Sequence, residues 1–200
     1  MIGAIALASM GLILGSEARR SEPQQSDWDW LSTHRMDAFE ALMPLEGQNS
    51  AVVTFRSYRD LYQDVQEQYF RISLSAPDSL SAIVTKPVGS SIQQQLLNLH
   101  MQDRTAPLKA VLNDVRLSQV ALTEIDCPGI RRRLKVLEQT TFRTPSRELI
   151  ILHPTVYWIS IAFEAGVMAT QLEEDDHPLV VWALETLRDL EECGTQVAKH

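Results

Sequence analysis

The sequence has few of the residues that usually mark a reactive or metal-binding site. Cysteine occurs only at Cys127 and Cys193, which is too few for a disulfide-rich scaffold or a structural zinc site. The chain must therefore be stabilised mainly by an apolar core. Its 200 residues, of which 44% are hydrophobic, are enough to form one.

Glycine is also scarce, and the eight glycines are scattered singly. There is no glycine-rich phosphate loop, no G-x-S-x-G elbow and no S-x-x-K motif with its usual companions. The five histidines, at positions 34, 100, 153, 177 and 200, show no metal-binding spacing of three or four residues on a helix. We expect no cofactor and no metal, name no catalytic residue, and favour a protein that is not an enzyme.

Basic residues are fewer than acidic residues. The chain has 18 Lys and Arg against 26 Asp and Glu, which gives a formal net charge of −8. Nucleic-acid binding requires a basic surface that neutralises phosphates, so nucleic acid is not expected as a partner. The only basic cluster is formed by Arg131, Arg132, Arg133 and Lys135 on one face of a predicted helix. This cluster is a candidate site for an anion or an acidic partner, and a solvated helix face explains it equally well.

The sequence has no apolar run of about 20 residues, the length that a membrane-spanning helix needs. A shorter apolar run covers residues 2–14 and is followed by small residues at positions 16 and 18. We therefore predict an export signal over residues 1–18, a polar linker over 19–30, and a single domain over 31–197. No Lys or Arg precedes the apolar run, so the alternative is a cytosolic protein in which this segment is a structural N-terminal helix.

The strongest strand signal lies at residues 155–163, where apolar side chains alternate with smaller or more polar ones. Residues 149–152 form a continuous apolar run before it, and His153-Pro154 lies between the two. We interpret the pair as a turn that joins two strands in a hairpin, with one kinked strand as the alternative. Residues 51–56 form a further predicted strand. Another hairpin is predicted from residue 69 to residue 84, with its turn at Pro77-Asp78.

Helix signals are interspersed with these strands. Residues 31–45 have helical spacing, and Ser90 with Gln93 fits a capping box. Residues 107–125 indicate a short helical turn and then a bulged strand, and Asp126 is a candidate cap for the next helix. The last helix is predicted to begin at Pro178 and to end at Gly194. The order predicts an α+β fold, with a mainly antiparallel sheet and helices packed on one face.

Several side chains have two interpretations. Cys127 and Cys193 lie at the ends of predicted helices and form a candidate disulfide, which is the natural fate of two thiols in an exported chain. The alternatives are unpaired thiols, or a reactive Cys127. Trp28 and Trp30 are expected to pack against the domain edge rather than to bind a ligand, and His100 is expected at the surface or at an edge.

Two acidic groupings could carry chemistry only if the fold brought distant residues together. His153, His177 and the acids at positions 173–176 could converge as metal ligands, although complementing the helix dipole explains these acids better. Glu164 could meet Glu124 or Asp126 across the sheet, as acid/base chemistry requires. The spacing requires neither arrangement. We therefore expect an exported, non-enzymatic interaction or ligand-binding domain whose partner or ligand the sequence does not identify. The alternative is a hydrolase-like enzyme with a site assembled from distant residues.

Overall fold

The computed structural model describes residues 22–45, 51–59, 67–75, 78–141, 155–163 and 166–198. These ranges contain five helices and six strands. The helices are α1 (Gln25–Leu42), α2 (Ile92–Gln102), α3 (Leu108–Asn113), α4 (Gly129–Gln139) and α5 (Pro178–Val197). The strands are β1 (Ala51–Arg59), β2 (Gln68–Ser75), β3 (Ser79–Pro87), β4 (Leu117–Thr123), β5 (Thr155–Phe163) and β6 (Gly166–Leu172).

All six strands form one antiparallel sheet in the order β4-β3-β2-β1-β5-β6. The predicted α+β class, the antiparallel sheet and the β2–β3 hairpin are therefore confirmed. Strand β5 lies between β1 and β6, with Ile159 opposite Phe55 on one side and Thr170 on the other. The predicted strand at 149–152, the His153-Pro154 turn and the export signal lie outside the described residues.

One face of the sheet is covered by α4 and α5. Phe55, Phe70 and Ile159 on this face have no exposed side-chain surface, and they belong to the same core as Ile130 of α4 and Val180 of α5. Strand alternation puts every second side chain on this face, and the 3.6-residue period of α5 supplies the matching apolar stripe. This is the helix-on-sheet packing that the sequence predicts for α5.

Helices also cover part of the opposite face, although we expected them on one face. Tyr58, Tyr69 and Val156 belong to a second core with residues of α1, α2 and α3. Arg56 is 2% exposed on this face, between the rings of Trp158 and Phe39, and its guanidinium donates to the Met43 carbonyl at 3.2 Å. The Glu40 carboxylate at 3.3 Å, the aromatic faces and the carbonyl replace the water that an arginine normally requires, so a charged strand position is buried here.

The predicted linker is too long, because α1 begins at Gln25, inside the stretch 19–30. The Asp27 side chain accepts a hydrogen bond from the backbone N–H of Gln24 at 2.8 Å and satisfies a donor at the first turn. Trp28 and Trp30 pack against the second core, as expected of residues that contact the domain edge. Residues 25–29 of the predicted linker thus form the first turns of a helix.

Three local details differ from expectation. The hydroxyl that caps α2 belongs to Ser91, which accepts from the Gln94 N–H at 3.2 Å, and not to Ser90. Strand β4 pairs with β3 in unbroken register, so the expected bulge is absent from it. Asp126 does not cap α4: it accepts hydrogen bonds from the backbone and hydroxyl of Thr123 and closes the turn after β4.

Candidate binding groove

A groove of about 510 Å³ lies between the β3–β4 pair and the C-terminal part of α5. We call it the α5 groove. Five of its lining residues are apolar or small and four carry polar or charged side chains: Val84, Val120, Leu190, Gly194 and Ala198, and Lys86, Ser118, Glu191 and Thr195. Pockets that bind small ligands have volumes of about 300–1,000 Å³ and mostly apolar walls with a few polar groups. The α5 groove meets both conditions.

Gly194 lets the helix lie close to the sheet at this point. A Cβ atom built on Gly194 would lie 3.1 Å from Cγ1 of Val120, which is tighter than ordinary van der Waals contact. We predicted that Gly194 ends the helix, and this is wrong, because α5 continues to Val197. The glycine is instead a packing residue that brings α5 onto β4 beside the groove.

One ion pair crosses the groove. Nζ of Lys86, on β3, lies 2.6 Å from Oε1 of Glu191, on α5, and the two side chains are 34% and 31% exposed. A pair that is partly in water is screened and contributes little to folding stability. The Lys86 ammonium and the Glu191 carboxylate can therefore separate and bind polar groups of a ligand instead, at small energetic cost.

The candidate disulfide is present, because Cys127 and Cys193 are bonded to each other with their Cα atoms 5.5 Å apart. Cys127 lies just before α4 and is buried, whereas Cys193 lies in α5 next to Gly194. The bond fixes the helix that forms one wall of the α5 groove to the turn that follows β4. The alternatives of unpaired thiols and of a reactive Cys127 do not apply to this bonded state.

Acidic residues occupy most of the basic cluster on α4. Arg131 forms a bidentate pair with Glu124, and Arg133 bonds to Asp189 at 2.7 Å and to Glu185 at 2.6 Å. Arg132 lies 3.8 Å from Asp189, while Lys135 is exposed. The cluster thus joins α4 to α5 and to the end of β4. As a site for an external anion, it remains a prediction.

The carboxylates that acid/base chemistry would require, Glu124 and Asp126, have internal partners. The hydrogen bond from Arg131 lowers the pKa of Glu124, and the backbone N–H of Thr123 lowers the pKa of Asp126. Both groups are therefore held ionised, which suits a structural acceptor better than a general acid. Glu164 and His153 lie outside the described residues, and His177 caps α5 by accepting from the Leu179 N–H at 3.2 Å.

A polar cluster that sequence reasoning missed joins α1 to α2. Asp27 is buried, and its oxygens lie 2.7 and 2.9 Å from the guanidinium nitrogens of Arg104. His100 lies 3.6 Å from the same carboxylate, and its ring stacks on Trp30 with centroids 4.1 Å apart. The hydrogen bond from Arg104 lowers the pKa of Asp27, whereas burial lowers the pKa of His100.

His100 is therefore a buried residue, and its expected place at the surface or at an edge is corrected. The Asp27–Arg104 pair spans 77 positions of the sequence, so no local pattern could show it. The sequence does not single out Asp27, because Asp27 and Asp29 both adjoin Trp28, yet Asp27 is buried and Asp29 is exposed. The Asp27 carboxylate is satisfied by Arg104 and by the Gln24 N–H, whereas Nδ1 of His100 is buried without a hydrogen-bond partner among the described residues. The cluster connects the two helices.

A second, wider cleft of about 790 Å³ lies where α2 meets α3 and the start of β4. Its lining is mostly polar, and its central side chain, Gln95, bonds to the backbone of Ser90 and to both backbone groups of Arg116. The Gln95 amide is thus occupied by bonds within the protein. This cleft is therefore a weaker candidate for ligand binding than the α5 groove.

No group of three or more His, Cys, Asp or Glu side chains suited to a metal lies within the part of the chain that the structure describes. Among the same residues, no helix is both long and apolar enough to cross a membrane.

Comparison with known proteins yields no family model, no curated protein and no solved structure that matches this chain.

Proposed function

We propose that this chain is an exported, non-enzymatic interaction or ligand-binding domain and that the α5 groove is its binding site. The observation that carries the proposal is the groove itself, which is floored by Val84, Val120 and Leu190 and crossed by a single exchangeable ion pair. Its size and composition suit an apolar group of a ligand or partner, bound with a polar group beside it.

Export is supported by two features. The Cys127–Cys193 bond is typical of proteins that fold in an oxidising compartment, and the apolar stretch at residues 2–14 is typical of an export signal. Mass spectrometry of the N-terminus of the native protein tests this part. An N-terminus near residue 18 is expected, and an intact Met1 in the native protein contradicts cleavage.

Titration with the neutral apolar dye Nile red tests the groove. Ser118 is exposed and lines the groove, so Ser118→Trp fills it, whereas Ala121→Trp adds the same ring to the other face of the same strand. We expect saturable binding to the wild type and to Ala121→Trp. Binding to Ser118→Trp should be roughly tenfold weaker, about 1.4 kcal/mol, through the loss of apolar contact area.

Equal affinities for both variants would remove the α5 groove as the binding site. Both substitutions are at exposed positions of one strand, so both variants should fold like the wild type. Their circular dichroism spectra test this expectation and serve as the folding control.

A further inference from the structure

The outer edge of β4 carries backbone groups that point away from the sheet. The Glu124 N–H donates to the Leu80 carbonyl, and the Arg116 carbonyl accepts from the Val88 N–H, both at 3.0 Å. Bonding direction alternates along an antiparallel strand, and β4 pairs with β3 in unbroken register. Even-numbered residues from 116 to 124 therefore bond towards β3, and odd-numbered residues point outwards.

Thr123 confirms this assignment, because its outward N–H donates to Asp126 at 2.9 Å and its carbonyl accepts from the Cys127 N–H at 3.0 Å. The turn thus closes one end of the edge. Leu117, Gln119 and Ala121 make no backbone hydrogen bond to any other residue in the described ranges on this side. Their three N–H and three C=O groups form an open template for another strand.

Natural edge strands are usually protected by charges, proline or bulges. Strand β4 has the sequence LSQVALT and contains none of these. The α5 groove also lies beside this edge, because Ser118 and Val120 of β4 line it. A strand added to β4 would place alternate side chains on the groove face, next to Thr195 of α5 and Ala198 just after the helix. The other edge strand, β6, contributes no residue to the groove.

From these observations we infer that the partner of this domain is an extended segment of another protein, which adds to β4 as a seventh, antiparallel strand and inserts apolar side chains into the α5 groove. The inference rests on the proposed function, since it names the partner of the same site. Backbone bonds supply affinity in this mode of recognition, and alternate side chains supply specificity. The net charge of −8 favours a neutral or basic segment over an acidic one.

The probe is an acetylated, amidated eight-residue peptide that alternates threonine and valine between terminal lysines. With valine in the groove, the threonine N–H groups face β4 and the valine N–H groups face away. N-methylation of the threonines should therefore abolish binding, and N-methylation of the valines should weaken it much less. Bound peptide should slow hydrogen exchange at the amides of Leu117, Gln119 and Ala121.

Protein variants separate the edge from the groove. Gln119→Pro removes an outward N–H without removing a bond to β3, and Gln119→Ala is the matched control. We expect at least about fivefold weaker peptide binding to Gln119→Pro, about 1 kcal/mol for one lost backbone hydrogen bond. Binding to Gln119→Ala should be unchanged. If the proline variant fails to fold, the two N-methylated peptides decide the question on the wild type.

The outcomes separate the two proposals. Dye binding without peptide binding at millimolar concentration overturns the strand-addition inference and leaves the proposed function standing. If neither the dye nor the peptide binds, the strand-addition inference and the proposed function are both overturned. Equal binding of the two N-methylated peptides contradicts the assigned strand face. A further outcome, in the absence of peptide, is hydrogen exchange at the amides of Leu117, Gln119 and Ala121 that slows as the protein concentration rises. This result would identify a second copy of the chain as the occupant and would overturn the partner named here.

Discussion

Removal of the Cys127–Cys193 bond should destabilise the domain strongly. The two cysteines are separated by 66 positions, and a cross-link that closes a loop of this length restricts the unfolded chain. The loop-closure relation gives about 4 kcal/mol at 25 °C for 66 residues. For a domain of this size, that loss lowers the melting temperature by roughly 10 °C.

Urea denaturation measures this effect on four proteins: the wild type, Cys127→Ala, Cys193→Ala and the double variant. Either single substitution breaks the bond, so each single variant should lose nearly as much stability as the double variant. The effects should be far from additive. The wild type in reducing buffer should match the double variant to within about 1 kcal/mol, apart from the small cavity left at the buried Cys127.

A difference in stability of less than about 1 kcal/mol between the reduced and the oxidised wild type would show that the bond contributes little. Two titratable thiols in the oxidised protein under denaturing conditions would show that the bond does not form. Additive losses from the two single substitutions would show that the side chains, and not a bond between them, provide the stability.

Two further predictions concern particular side chains. Gly194→Leu should lower the free energy of unfolding by about 1–3 kcal/mol, because its side chain meets Val120 at once, and Gly194→Leu with Val120→Ala should recover part of this loss in urea denaturation. His100 has a lowered pKa in the folded state, so the unfolded state binds the proton first as the pH falls through about 6.5. The contribution of His100 to the free energy of unfolding should therefore be fully present above about pH 6.5 and should decrease below it. His100→Gln should make the free energy of unfolding depend less on pH in this range. An NMR titration that places the pKa of His100 above about 6.5 would contradict this direction.

The parts of the fold that the sequence predicts are those with short-range physical causes. Strand alternation identifies β5, and the proline-aspartate turn identifies the β2–β3 hairpin. Proline in a first helical turn identifies the start of α5. These features depend on residues within a few positions of each other.

The parts that could not be predicted depend on tertiary contacts. Strand β6 was missed because Gly166, Ala169 and Gln171 have low strand propensity, so its formation depends on pairing with β5. The burial of Arg56 depends on rings contributed by α1 and β5, which no local pattern places beside it. The α5 groove could not be predicted for the same reason, because its walls come from β3, β4 and α5 and meet only in the folded domain.

The proposed function requires an apolar group to bind between the β3–β4 pair and the end of α5. The most direct measurement is a series of methyl NMR spectra recorded while the small apolar alcohol cyclohexanol is titrated into the full chain. The methyl signals of Val84, Val120 and Leu190 should shift first and saturate together. Shifts that begin instead at Ile92, Leu96 and Leu97 of α2, while these three signals stay in place, would contradict the proposed function.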